Sequence, residues 1–114
     1  MFAGTKVRIG EEEYTIPPIS LGQLRNGTMA LLKQHDELVA GGNTFEAMLI
    51  RGEVLLSALR RNYPDFAEDK LYDFLDMDNT GRLWLNILGA SGFTQGEATA
   101  AERNSGTSDQ STGA

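Results

Sequence analysis

The chain has 114 residues, a formal net charge of −6, no cysteine and one histidine, His35. It therefore has no disulfide or thiolate metal site, and one histidine cannot form a histidine-based metal site. Its ten Lys and Arg residues are spread along the chain, which argues against nucleic-acid binding. No segment approaches the roughly 20 apolar residues of a membrane span, and residues 1–10 lack the apolar run of a signal peptide. We expect a protein that stays soluble where it is made.

An N-terminal β-hairpin is the first predicted element. Residues 6–9 alternate polar and apolar side chains, Gly10 and three glutamates follow, and residues 14–16 resume a β-branched and aromatic run. Pro17 and Pro18 end the second strand because they supply no backbone N–H. Two strands alone are only marginally stable, so the hairpin must pack on an apolar surface.

Helix signals follow the prolines. Ser20 and Gln23 have the spacing of a capping box, the Asn-Gly pair at 26–27 interrupts the pattern, and the Gly-Gly pair at 41–42 ends it. The sequence leaves open whether this segment forms two helices or one kinked helix.

The strongest helix pattern begins after Asn43, a predicted N-cap, and is closed by Pro64. Apolar positions recur on one face at intervals of three and four: Phe45, Met48, Leu49, Gly52, Leu55, Leu56 and Leu59. Asp65 and Glu68 then predict the capping box of a short helix, residues 78–81 predict a turn, and a last helix is expected to end at Gly92.

The residues after Phe93 include no aromatic or branched aliphatic side chain, so they cannot offset their ordering entropy. We predict one mainly α domain of the α+β type over residues 1–93, with the hairpin packed on four or five helices. Residues 94–114 are predicted to form a flexible, disordered tail. The predicted core consists of Phe45, Leu49, Leu56, Leu59, Leu71, Trp84 and Leu88.

The sequence shows no catalytic, cofactor-binding or metal-binding motif. Residues 76–81 resemble the start of a calcium loop, but the position that needs a bidentate glutamate is Ile87, so we interpret them as a turn with a cap. His35 and Asp36 are neighbours that should point about 100° apart on a helix, so we interpret His35 as a solvated surface residue. We therefore predict that the protein is not an enzyme.

A second apolar stripe on the central helix is the main candidate binding feature. Ile50 and Val54 belong to it, together with Ala47 and Ala58, and it lies almost opposite the first stripe. Such a helix is either buried on all sides or offers a contact to a partner or to a second copy. Leu85 likewise points away from the apolar face of its own helix. Ile50, Val54 and Leu85 are thus the predicted partner-binding residues.

The order of these features indicates a family. The hairpin leads into Tyr14-Thr-Ile-Pro-Pro-Ile-Ser-Leu-Gly-Gln-Leu24, the helices are interrupted by Arg60-Arg-Asn-Tyr-Pro-Asp65 and an acidic short helix, and the last helix ends in Ala90-Ser91-Gly92. Over about residues 6 to 93 this resembles the tail assembly chaperones of long-tailed bacteriophages. The low-complexity extension is also typical of that family.

The resemblance implies a protein of the infected host cytoplasm that binds the helical tape measure protein, promotes assembly of the tail tube, and is absent from the mature virion. It also implies a longer product, made by ribosomal frameshifting, that contacts the tail tube protein. The alternatives are a minor phage structural protein such as a head–tail connector and, after it, a regulatory or antitoxin-like module.

Overall fold

A computed structural model describes residues 1–92, which form an N-terminal hairpin and a helical bundle. The predicted mainly α fold of the α+β type is confirmed for this part of the chain; the predicted tail, 94–114, lies outside it. The elements are strands β1 (Thr5–Ile9) and β2 (Glu12–Ile16), then helices α1 (Leu21–Gln23), α2 (Met29–Ala40), α3 (Thr44–Leu59), α4 (Glu68–Phe74) and α5 (Met77–Ala90).

The hairpin is closed by a two-residue turn in which Gly10 adopts a φ of +67°. Its inner face buries Tyr14, whose ring meets those of Tyr63 and Phe66 edge-on at centroid distances of 5.0 Å. The Tyr63 hydroxyl accepts a hydrogen bond from the backbone N–H of Thr15 at 3.0 Å. The loop after α3 therefore holds the hairpin on the bundle, as the marginal stability of two strands requires.

The entry into the bundle consists of two helices, α1 and α2, that are joined at a kink. The predicted capping box of Ser20 and Gln23 is confirmed, and the Gln23 side-chain amide also donates to the carbonyl of Ser57 on α3 at 2.8 Å. Between α1 and α2 the chain bends within Leu24–Thr28, where Asn26 and Gly27 leave the helical conformation and Gly27 has a φ of +138°. Few residues other than glycine adopt this conformation, so Gly27 fixes the position of the kink.

Helix α3 forms the centre of the bundle and contacts α2, α4, α5 and β2. The predicted core residues Leu56, Leu59, Leu71, Trp84 and Leu88 are confirmed as buried.

The prediction is wrong for two residues of α3, since Phe45 and Leu49 are 68% and 40% exposed. Phe45 and Leu49 lie on the same face of α3 as Leu56. Other elements cover this face only toward the C-terminal end of the helix. The opposite face, which carries Val54, is covered along most of its length.

Several predicted helix starts also need correction. Asn43 precedes α3 without a side-chain capping bond, and α4 starts at Glu68 without the capping box predicted at Asp65. The predicted turn at 78–81 is the first turn of α5. Asp76 caps this helix by accepting from the backbone N–H of Asp78 at 2.9 Å and of Asn79 at 2.7 Å. The carboxylate that suggested a calcium loop thus serves as a helix cap.

Candidate functional site

An apolar cleft opens where the first turns of α3 meet the end of α4 and the start of α5. Its volume is about 270 Å³, and six of its eight lining side chains are apolar or aromatic. The lining residues are Phe45, Met48, Leu49, Tyr72, Leu75, Asp76, Met77 and Thr80.

Three of these side chains are unusually accessible for large apolar groups. Met77 is 70% exposed, Phe45 is 68% exposed and Leu49 is 40% exposed. A single exposed apolar side chain is ordinary, but three that line one cleft form a continuous patch. Patches of this kind are typical of surfaces that another molecule covers.

Close packing between α3 and α4 shapes one wall of the cleft. The Tyr72 ring lies directly over Gly52, where an added Cβ would come within 2.5 Å of the ring. The Tyr72 hydroxyl donates to the carbonyl of Leu49 at 3.0 Å. Burial raises the pKa of this hydroxyl, and the charges of Glu53 and Glu68 raise it further. Tyr72 therefore remains a neutral hydrogen-bond donor that fixes the wall.

A buried hydroxyl adds a polar group to the apolar lining. Thr80 is 4% exposed and lines the cleft, and its Oγ1 has no hydrogen-bond partner within residues 1–92. Leaving a buried polar atom unpaired costs about 1–3 kcal/mol. A bound molecule that reached this hydroxyl with a polar group would recover part of that cost.

The one charged side chain in the lining of the cleft is acidic. It belongs to Asp76, whose carboxylate also caps α5. Opposite charges around an apolar contact fix the orientation of a partner and speed its association. This carboxylate thus favours a partner with a basic group beside its apolar side chains.

A buried polar cluster around His35 lies where α2, α3 and α5 meet. The prediction of a solvated histidine is wrong, since His35 is 0% exposed. Its Nε2 accepts a hydrogen bond from Arg51 Nε at 3.0 Å, and its ring lies 4.6 Å from that of Trp84. Its Nδ1 is 3.3 Å from Oδ1 of Asp36, so these neighbours do interact, contrary to the prediction.

The arrangement requires a neutral imidazole with its proton on Nδ1, because Nε2 faces a donor. Burial and then the charge of Arg51 lower the His35 pKa from 6.5 to about 4. Burial raises the Asp36 pKa from 3.8 to about 6.

These two shifts predict how stability changes with pH. Between pH 6.5 and 4 the unfolded chain binds a proton at His35 more readily than the folded chain, so stability is lost as pH falls. Asp36 acts in the opposite sense, because its contribution is lost as pH rises toward 6, but its side chain is 37% exposed and solvent weakens the effect. We expect the free energy of unfolding to fall by about 1 kcal/mol from pH 7 to pH 5.

Urea denaturation at the two pH values measures this difference, and two variants separate its sources. Asp36→Asn keeps an acceptor for Nδ1 but does not titrate, so the fall should grow to about 2 kcal/mol. His35→Gln should remove most of it. An unchanged fall in His35→Gln would show that other groups cause the pH dependence.

The structure separates the residues predicted to bind a partner. Ile50 is 7% exposed and Val54 is 0% exposed, so the expectation that their stripe forms an accessible surface is corrected. The alternative considered for that stripe, a central helix covered on that side, is what the structure shows. Leu85 is half-buried and lines a different groove, beside β1.

Sequence reasoning missed the cleft although its residues were visible. The apolar spacing predicts a core position for Phe45 and Leu49, and no pattern in the sequence distinguishes Met77. One signal was available. The first turns of α3 carry more apolar side chains than a helix as short as α4, with seven residues, can cover.

Within residues 1–92 there is no group of three or more His, Asp or Glu side chains placed to hold a metal ion. In the same part of the chain, none of the helices has the length and apolar character needed to span a membrane. No protein family, curated protein or solved structure matched the chain.

Proposed function

We propose that this chain is a non-enzymatic protein-binding domain that acts as a phage tail assembly chaperone. Its client is the tape measure protein, and the apolar cleft takes an amphipathic helix of that client. The observation that carries this proposal is the exposed apolar lining of the cleft, with Phe45, Leu49 and Met77 open to solvent.

The shape and chemistry of the cleft suit a helix. Amphipathic helices bind in apolar grooves through side chains spaced three and four residues apart. Two methionines, Met48 and Met77, line the cleft, and their flexible thioether side chains adapt to different apolar partners. A chaperone that covers successive segments of a long helical client needs such tolerance.

The carboxylate of Asp76 in the lining defines the client more closely. It would face a basic residue that flanks the apolar positions of the bound helix. The preferred client segment therefore carries Leu, Ile, Val or Phe at helical spacing with Lys or Arg beside them. This site replaces Ile50 and Val54 as the proposed contact.

The wider role follows from the family resemblance and remains part of the proposal. The chaperone acts in the host cytoplasm, keeps the tape measure protein soluble while tube subunits assemble, and is absent from the mature virion. A frameshifted longer product would contact the tail tube protein. A head–tail connector would instead remain in purified particles, so probing particles with an antibody against this chain separates the two roles.

Co-expression with the tape measure protein tests the binding site. The client should be soluble with the wild-type chain and insoluble without it. Phe45→Asp combined with Met77→Asp should abolish this effect, because both side chains are exposed in the cleft and a carboxylate there opposes apolar contact.

Leu21→Asp is the matched control. Leu21 is 84% exposed but does not line the cleft, so its replacement should leave the client soluble. Circular dichroism should show that all variants are folded. A folded Phe45 and Met77 double variant that still keeps the client soluble would contradict the proposed site, and an insoluble client with the wild-type chain would contradict the proposed function.

A further inference from the structure

A second surface feature lies beside the hairpin and shares no residue with the apolar cleft. It is a groove of about 580 Å³ between β1 and α5 that no residue of β2 lines. Its lining consists of Thr5, Lys6, Val7, Arg8, Phe74, Asn79, Arg82, Leu83, Leu85 and Asn86.

One side of this groove is the free edge of a strand. In an antiparallel hairpin with a two-residue turn, the pair next to the turn, here Ile9 and Glu12, exchanges hydrogen bonds, and every second pair does the same. The backbone N–H and C=O groups of Lys6 and Arg8 therefore point away from β2. Within residues 1–92 these four groups have no backbone partner.

The charge of the groove is opposite to that of the whole chain. Lys6, Arg8 and Arg82 line it, and no Asp or Glu is among its lining residues, although the net charge of the chain is −6. Arg82 pairs with Asp78 at 2.9 Å, but both side chains are largely exposed. The guanidinium of Arg8 donates to the backbone carbonyl of Glu11 at 2.9 Å. Because a carbonyl is neutral, this bond does not compensate the positive charge of Arg8. The cross-strand neighbour of Arg8 is Glu13, on the exposed part of β2.

The floor of the groove is partly apolar. Val7, Phe74 and Leu85 are half-buried and line it, with Leu85 pointing off the main apolar face of α5. A strand placed along β1 would alternate its side chains, with one set on this floor and the other at the solvent side near Lys6 and Arg8. Leu85, which the sequence singled out as an unexplained apolar residue, thus has a place in this groove.

These features select the kind of occupant. A free strand edge gains hydrogen bonds from an extended segment, whereas a helix satisfies its own backbone. Acidic side chains complement the three cations. Two β1 strands of separate copies would place Lys6 and Arg8 against the same cations, and like charges facing each other across a strand pair are destabilising.

We propose that the groove between β1 and α5 binds an acidic, extended segment of a partner protein, which adds to the hairpin as a third strand along β1. The proposal is independent of the helix-binding role of the cleft. It rests on the free edge of β1, the cationic lining and the apolar floor.

Fluorescence anisotropy on the full chain tests this with a labelled ten-residue peptide in which valine and threonine alternate with glutamate. Saturable binding is expected for this probe and no binding for the same peptide with lysine in place of glutamate. N-methylation of alternate backbone nitrogens should weaken binding by about tenfold or more, because it removes the donors that pair with the strand edge. Equal binding of the acidic and basic peptides, or no binding of either, would overturn the proposal.

Variants locate the binding. Lys6→Glu combined with Arg82→Glu should weaken binding of the acidic peptide by about tenfold or more. Lys33→Glu combined with Arg25→Glu makes the same change in net charge at two exposed positions outside the groove and should change the affinity by less than about twofold. Phe45→Asp, in the apolar cleft, should leave the affinity unchanged. Equal losses in the two double variants would mean that only net charge matters, and would contradict a site in the groove.

Discussion

Replacing Val54 by aspartate is expected to unfold the domain. Val54 is 0% exposed at the centre of α3, so a carboxylate at this position would be buried without a partner. An unpaired buried charge costs several kcal/mol, and small domains are stable by only about 5–15 kcal/mol in total. The loss of helical circular dichroism and of dispersed amide signals in nuclear magnetic resonance spectra would measure the effect.

Leu49→Asp is the matched control on the same helix. Leu49 is 40% exposed in the apolar cleft, so the same change in chemistry should leave the domain folded and lower the melting temperature only slightly. A folded Val54→Asp variant would show that the interior and exposed faces of α3 had been exchanged. The side chains that line the cleft would then be buried, and the cleft would not be an exposed apolar surface.

The exposure of Phe45 and Leu49 beside a buried Val54 marks what the sequence could and could not determine. Apolar spacing located α3 correctly but placed apolar residues on both of its sides. Because both sides carry apolar side chains, which positions are covered depends on which neighbouring helix packs against which turn. The tyrosine over Gly52 covers one position, while Phe45 has no such cover, and these long-range contacts leave no periodic signal.

Local signals were read more successfully than tertiary ones. The capping box at Ser20 and the break at Gly27 depend on residues close in sequence, and both were predicted. The interpretation of residues 76–81 as a turn with a cap is confirmed for the cap at Asp76, but residues 78–81 form the first turn of α5. In a turn and in a helix cap alike, an aspartate oxygen accepts from a nearby backbone N–H, so the local sequence does not distinguish the two.

The sequence does contain a signal for the burial of His35. It lies three residues from Leu32 and Leu38 and four from Leu31 and Val39, which puts it in the middle of the apolar face of α2. Its partner Arg51 lies 16 residues away on another helix, so the pair could not be anticipated from spacing. A polar residue in the middle of an apolar helix face is better interpreted as buried and hydrogen-bonded.

The cleft could be predicted only in part. Its apolar residues are plain in the sequence, but their accessibility follows from the shortness of α4 and from the way α5 starts directly after it. The groove beside β1 was no easier to foresee. Lys6 and Arg82 are 76 positions apart in the chain and meet only because α5 packs next to the hairpin.

Truncation of Trp84 to alanine should cost about 3–5 kcal/mol of unfolding free energy. Trp84 is 0% exposed, and its ring packs against His35 at 4.6 Å and lies under the guanidinium of Arg51 at 5.7 Å. Alanine would leave a large cavity and remove the aromatic surface that supports both polar groups. Urea denaturation followed by circular dichroism measures the change. Intrinsic fluorescence is unsuitable because Trp84 is the only tryptophan.

Trp84→Phe separates the contribution of ring packing to stability from that of the indole N–H. The indole Nε1 is buried and has no hydrogen-bond partner within residues 1–92, so phenylalanine loses volume but no hydrogen bond. We expect this variant to lose no more than about 1–2 kcal/mol, because the removal of an unpaired buried donor offsets part of the lost packing. A cost equal to that of Trp84→Ala would show that Nε1 makes a bond that stabilises the fold. If the smaller cost is observed, the stability of this cluster comes from ring packing around His35 and Arg51.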